Sequence, residues 1–390
     1  MKKNIFLAAA ALLALAACNK SGTTIIGTPD EIGFKTALQR VTKAGELNGT
    51  SFNDEGYAIY ASASQYAADG SLETPDFFNN QLFMNKVTAG GGRPDWHHYD
   101  SEAATDPTPI YWPVGGSSMD FLAYALPRGK QATIPAPAFG ATAAARDFSI
   151  PSWDTYATQV DLLYAAANGQ NSRTARATPY VSMEFRHAQA LLIFNVKISK
   201  GSTGLKIEDI SFVTPEYIAA RMGELTAATP KAYADCTPPI LAHVTLKTKG
   251  TFRVDNQRND LEARWTFDSS GEGAVAANWK MPSFAGTPAV SPCNIESPAI
   301  SEAVNYGDAL TSERYVQLGE TLLIPQQPAQ NFCVTYTVGG HTMQYYCNVP
   351  RQVWQAGCKY VYNLDIDLTE ITVTETVKDF ERLAENPTLG

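Results

Sequence analysis

The sequence carries no Gly-rich phosphate loop, no HExxH helix and no GxSxG elbow, and it has only five histidines. The signatures of phosphate-loop, zincin and α/β-hydrolase chemistry are therefore missing. Hydrolysis by paired carboxylates leaves no local signature, but nothing in the chain selects a nucleophile or a base either, so the reading is non-enzymatic, with no catalytic residue and no cofactor. Helix-period patterns are scarce, and no apolar run reaches the ~20 residues of a membrane helix. Basic side chains number 30 against 39 acidic ones, a net charge of −9, and such a surface repels nucleic acid and anionic headgroups. None of the six cysteines has the spacing of a zinc site,.

What is present is β-forming. The chain has 17 Phe and 18 Tyr, with Gly and Pro punctuating it every few residues, which is the composition of an all-β protein. Its 390 residues exceed what one core usually serves and favour two domains.

The N-terminus has a positive start at Lys2 and Lys3, a short apolar stretch Ile5 to Ala17, and then Leu15-Ala16-Ala17-Cys18. Small residues before a cysteine at the cut are the lipobox arrangement. Cleavage between Ala17 and Cys18 makes Cys18 the lipid-bearing first residue of an exported protein, and the loss of two lysines deepens the negative charge. Residues 1–17 are thus read as a signal peptide, 18–30 as a polar tether, 31–225 as an N-terminal domain and 226–390 as a C-terminal domain. The boundary is set where LTAATPKAYADCTPPI has no periodicity.

Strand signals run from Glu31 to Ala44, with Ile32, Phe34, Leu38 and Val41 as buried positions, then over Gly56 to Ala63 and Met119 to Leu126. The Pro- and Ala-rich residues 131–147 read as a loop. Tyr180 to Ile198 alternates but slips by one near His187 to Gln189, which predicts a bulge, and Leu205 to Thr214 can return as its hairpin partner. His243 to Val254 and Glu262 to Asp268 follow as strands. FCVTYTV and HTMQYYCNV form a hairpin around Gly339-Gly340; a three-residue loop would set Cys333 opposite Cys347, and a two-residue loop would offset them by one. In the strand from Tyr360 to Leu368 one face is core and the other wet, and Ile371 to Phe380 is a last short strand. The five cysteines beyond Cys18 (Cys236, Cys293, Cys333, Cys347 and Cys358) are read as structural.

His97 and His98 are adjacent on an extended backbone, so their rings diverge and do not share a metal ion. His187 reads as a core histidine bonded to backbone. Trp96, Trp112 and Trp153 read as core aromatics. Were they exposed, the alternative would be a glycan-binding surface lipoprotein, with sugar binding that depends on Trp96 or Trp153.

Several motifs come in a recognisable order: the lipobox, YWP at Tyr111 to Pro113 followed by MDFLAYALP, QVDLLYA at Gln159 to Ala165, MEFRHAQALLIFNV at Met183 to Val196, LLIPQ at Leu322 to Gln326, WQAGCKYVYNLDI at Trp354 to Ile366, and ITVTETVKDF. Together they resemble the fimbrillin-like lipoproteins of Bacteroidales. Phe380 stands where that family commonly has tryptophan, and Cys358 interrupts its Gly-Lys-Tyr run.

The resemblance implies two tandem transthyretin-like Greek-key β-sandwich domains and service as a structural or adhesive subunit of a type V surface fimbria. It implies a location at the outer membrane by lipid anchor and in the fimbria, with other subunits and a host or bacterial surface ligand as partners. It also implies that a protease removes the first strand and that a neighbour's strand fills the vacancy. On this sequence the cut falls at Arg40, with Lys43 second, and the donor is Ile371 to Val377, its apolar face formed by Ile371, Val373 and Val377. Four buried apolar side chains at ~1.5 to 3 kcal/mol each would make the vacancy worth roughly 6 to 12 kcal/mol.

Overall fold

The computed structural model describes residues 31–38, 56–86, 96–113, 117–141, 145–171, 180–199, 204–213, 246–257, 260–267, 274–275, 304, 306–311, 314–326, 331–348, 353–367 and 371–379. Among these the architecture is all-β, apart from one turn of 3-10 helix and one of α-helix.

The chain opens with β1 (Phe34–Leu38), β2 (Tyr57–Tyr66), β3 (Leu72–Asn85), β4 (Trp96–His98) and β5 (Ser118–Pro127). Next come β6 (Ala138–Ala141), β7 (Ala145–Asp154), the helical turn α1 (Thr155–Thr158), β8 (Leu163–Gln170) and β9 (Val181–His187). The order β1-β4-β3-β2-β5-β8-β9 closes on itself as a barrel. MDFLAYAL is a near-continuous apolar run because β5 is buried on both faces,. Met119, Phe121, Ala123 and Ala125 point into the barrel core, while Leu122, Tyr124 and Leu126 belong to a second core outside the wall.

That second core is covered by the sheet β14-β13-β7-β6, for which the later strands β13 (Lys249–Gln257) and β14 (Asp260–Phe267) supply two members; the short β12 (Leu246–Lys247) precedes them and lies outside this sheet. The Pro- and Ala-rich stretch read as loop therefore contains β6 and the start of β7. Phe139 and Phe148 pair directly across them, with ring centroids 5.5 Å apart, and this aromatic pair outweighs the poor strand propensity of the alanines.

The remaining strands are β10 (Ala190–Ile198), β11 (Lys206–Val213), the short β15 (Ala274–Val275), β16 (Val316–Leu323), β17 (Asn331–Val338), β18 (His341–Asn348), β19 (Cys358–Ile366) and β20 (Ile371–Asp379). One sheet runs β16-β10-β19-β20 and another β11-β17-β18. A single core joins them, built from the even positions of β10 and β19 together with Ile207, Ile210, Val334, Tyr336 and Trp354. The predicted alternation of β19 holds, with Tyr360, Tyr362, Leu364 and Ile366 inside.

Pairing crosses position 225 in both directions. Before it, β10 pairs with β16 and β19, and β11 with β17; after it, β13 pairs with β7. β11 is thus not the hairpin partner of β10. Nor is the slip near His187 to Gln189 a bulge: it marks the point where the chain leaves the barrel at β9 and enters the second unit at β10. Gln189 secures that passage, accepting from Leu162 N at 3.0 Å and donating to Val160 O at 3.0 Å, while its own carbonyl accepts from Gly357 N at 2.9 Å. Gln159 does the same across the join, taking Leu322 N at 2.8 Å.

The hairpin turns on two residues, Gly339 and Gly340, with φ of 58° and 82°. Val338 pairs with His341, so Cys333 faces Tyr346 and Cys347 faces Phe332. The two cysteines are offset by one and lie on opposite faces of the hairpin.

Candidate functional site: the slot filled by the first strand

β1 is a short strand held very differently on its two sides. Along β9 it pairs in parallel over its whole length, from Phe34↔Val181 to Leu38↔Phe185. Along β4 it makes, among the described residues, one antiparallel pair, Phe34↔Trp96. Just upstream, Ile32 N donates to Ile110 O at 2.7 Å, and Val181 N donates to Gly33 O at 2.9 Å.

Alternation decides what enters the barrel: Ile32, Phe34 and Thr36 are buried and Lys35 is exposed,. The Phe34 ring lies 4.5 Å from Phe83 and edge-on to Phe121 at 5.8 Å, the arrangement its quadrupole favours,. Thr36, a polar residue in an apolar barrel, accepts the indole Nε1–H of the fully buried Trp96 at 3.1 Å. Gly33 has no room for more: a Cβ there would come within 2.8 Å of Tyr180 Cδ1 and 3.1 Å of the Trp96 carbonyl. His97 and Glu31 approach to 3.0 Å at the strand's outer end. Of the four apolar positions expected in this strand, Ile32 and Phe34 are buried, whereas the Leu38 side chain and Val41 lie outside the described residues. Ile32 and Phe34 together bury roughly 3 to 6 kcal/mol of apolar stabilisation.

Ala17, Cys18 and Arg40, and also Cys236 and Cys293, lie outside the described residues. β20 sits at the edge of its sheet, paired with β19 from Ile366↔Ile371 to Cys358↔Asp379. Ile371 is buried and Val373 half-buried. Val377 pairs with Tyr360, and its side chain lies outside the described residues.

The tryptophan platforms of the glycan-binding alternative are absent from the surface. Trp96 and Trp153 are fully buried and Trp112 nearly so. His97 and His98 diverge as expected, the first to Glu31 and the second to Gln81 Oε1 at 2.9 Å. His187 is a core histidine, but its partner is a carboxylate instead of backbone: Nδ1 lies 2.8 Å from Asp161 Oδ1, and Tyr57 donates to Asp161 Oδ2 at 2.9 Å. The carboxylate sits on the loop before β8, too far along the chain for sequence reasoning to have paired it with either partner. Thr36 and Gly33 left only weak signals, a hydroxyl and a glycine in an apolar alternation.

The sequence profile of the fimbrillin-like family matches residues 42–379, a region that begins two residues beyond Arg40. Among solved structures, the chain is similar to a fimbrial protein from Bacteroides vulgatus, with 13% identity and a TM-score of 0.47 over 90% of this chain and 99% of that one. It is also similar to a fimbrial assembly protein from Parabacteroides distasonis (8%, TM-score 0.30, 90% and 100% covered). A third likeness is to the fimbrial anchor protein Mfa2 from Porphyromonas gingivalis (9%, TM-score 0.29, 89% and 97% covered). No curated protein matches the sequence.

Proposed function

This chain belongs to the fimbrillin-like family, and from that premise we propose that it is a non-enzymatic structural or adhesive subunit of a cell-surface fimbria, exported as a lipoprotein and polymerised by strand exchange. Signal cleavage after Ala17 leaves lipidated Cys18 at the outer membrane. A cut after Arg40 frees the first strand from the rest of the chain, and the segment carrying Ile371, Val373 and Val377 of a neighbouring subunit takes up the vacated slot.

The observation that carries this reading is the one-sided hold on β1. Among the described residues that strand is paired along its whole length with β9 and at one position with β4, so a single continuous ladder has to open for it to leave. Its departure exposes the edges of β4 and β9 together with the pocket around Phe83 and Phe121, an invitation to another strand.

N-terminal mass spectrometry of surface filaments, with immunoelectron microscopy of the same cells, tests it. A start at Val41 in labelled filaments is the expected result. A start at Cys18 in every assembled form overturns the cleavage step, and absence of label from filaments overturns the assignment as a subunit. Deletion of residues 371–390 is expected to stop polymerisation; unchanged filaments would rule out that donor.

A further inference from the structure

Among the described residues β14 is the outer strand of the sheet β14-β13-β7-β6. After β14 the chain goes on to β15, which pairs with β12 (Leu246↔Val275, Lys247↔Ala274) instead of folding back along β14. Gln257 pairs with Asp260 across only two intervening residues, and a pair that close exchanges both of its backbone hydrogen bonds. Bonded and non-bonded pairs then alternate up the ladder. Asp255↔Glu262 and Arg253↔Arg264 are bonded, whereas Leu261, Ala263 and Trp265 turn their N–H and C=O groups to the open edge,. Such a row is a template for another strand.

The side chains select which strand. Glu262 and Arg264 are exposed, while Leu261, Ala263 and Trp265 are half-buried against the second core. Asp255 takes Arg264 Nη2 at 2.7 Å and Arg253 Nε at 2.8 Å, and Arg253 Nη2 also reaches Asp147 Oδ2 at 2.6 Å. Glu262 is the acid this network leaves out: it faces the like charge of Asp255 across the ladder, and among the described residues no ion pair or hydrogen bond reaches its side chain. Like charges directly opposite destabilise a sheet, so a cation arriving from the open side relieves it. Sheets guard their edges with charge, and two charges of one sign would repel a second copy. Here the signs are opposite and the two residues flank Ala263 symmetrically. A two-fold axis through Ala263 therefore sets Glu262 of one copy opposite Arg264 of the other, twice, and Leu261 opposite Trp265, twice. With Ala263 bonded to its counterpart, the Glu262–Arg264 pairs are the non-bonded ones, whose side chains stand closest. Arg264 meets Asp255 through one guanidinium nitrogen, which leaves further N–H donors for an incoming carboxylate.

We propose that the open edge of β14 pairs antiparallel with the same edge of a second copy of this chain, joining two four-stranded sheets into one of eight. The contact lies apart from the slot of β1 and needs neither cleavage nor strand exchange. Sedimentation equilibrium of the full chain tests it, with a concentration-dependent dimer expected. Glu262→Arg and Arg264→Glu are each expected to weaken that dimer about tenfold or more, because both cross-strand pairs turn from attractive to repulsive. Mixing the two variants is expected to restore association, since each then meets the opposite charge, and so is combining both substitutions in one chain. Ala263→Pro removes an N–H turned to the open edge, which an edge strand tolerates, and is expected to abolish the dimer. Melting temperatures of all variants serve as the folding control. A full chain that stays monomeric up to about 1 mM overturns the proposal, as does a dimer indifferent to both charge variants or a loss that the mixture does not restore. Association that disappears only on deletion of residues 371–390 overturns it too, by assigning the contact to the C-terminal strand. Filament labelling is read separately, so failure here leaves the subunit assignment standing.

Discussion

Trp96 and Thr36 meet inside the barrel at 3.1 Å, indole donor to hydroxyl acceptor, and this bond joins the first strand to β4 beside their Phe34↔Trp96 pair. Both groups are buried, so neither can turn to water. Thr36→Val keeps the shape and removes the acceptor, leaving an unsatisfied indole N–H that costs about 1 to 3 kcal/mol. Thr36→Ser retains the acceptor and is expected to lose less. Urea unfolding of the two variants checks this; equal midpoints for Val and Ser would mean that the hydroxyl contributes nothing to seating the strand.

Asp161 links the floor of the first unit, taking Tyr57 and His187 on its two oxygens at 2.9 and 2.8 Å. Asp161→Ala leaves two buried polar groups without the carboxylate, for an expected loss of roughly 2 to 6 kcal/mol, whereas Tyr57→Phe removes only one hydrogen bond at about 1 kcal/mol. Denaturation midpoints should fall in that order. A Tyr57→Phe loss as large as that of Asp161→Ala would place the whole effect on the tyrosine.

Local pattern was legible where burial imposes a period. The alternation of Tyr360 to Ile366, the doubly buried run Met119 to Leu126 and the Gly339-Gly340 hairpin were all readable, because each depends on residues near one another in the chain. Partnership was not. β10 carries a clear alternating face, yet its neighbours are β16 and β19, more than 100 residues away. Nothing in residues 190–198 encodes that choice, nor do residues 249–257 show that β13 pairs back with β7. The slip at His187 to Gln189 was visible, but a bulge and a change of sheet perturb the alternation identically. In the strand slot the apolar positions Ile32 and Phe34 were readable, while the Thr36–Trp96 bond and the crowding at Gly33 emerge only from packing.

The hairpin offers a direct test of turn chemistry. Gly339 and Gly340 both have positive φ, 58° and 82°, the two-residue turn whose twist matches its strands,. Alanine at either site is expected to cost about 1 to 2 kcal/mol from left-handed strain, whereas Gly339→Asn is tolerated. A Cβ at either position meets nothing within 4 Å, so a loss on alanine substitution is conformational and not steric. Thermal melts that rank asparagine no better than alanine at position 339 would contradict this origin.

Stability is expected to fall on the alkaline side. Burial, reinforced by Cys333, pushes the Cys347 thiol up from 9.0 to about 12, and burial pushes Tyr124 from 10.0 to about 12; burial also raises Tyr60 and Tyr306. Between about 9 and 12 the unfolded chain has released protons that the folded chain still holds. The folded state therefore binds more protons, and the free energy of unfolding declines as pH rises through this window, while below 9 these groups impose no slope. Each such group contributes about 1.4 kcal/mol per pH unit at full effect. Urea unfolding from pH 8 to 11 should show the decline beginning near 9 with the thiol and steepening above 10 with the tyrosines. Cys347→Ala should delay the onset by about one unit, and an onset unchanged in that variant would assign the early part of the decline to another group.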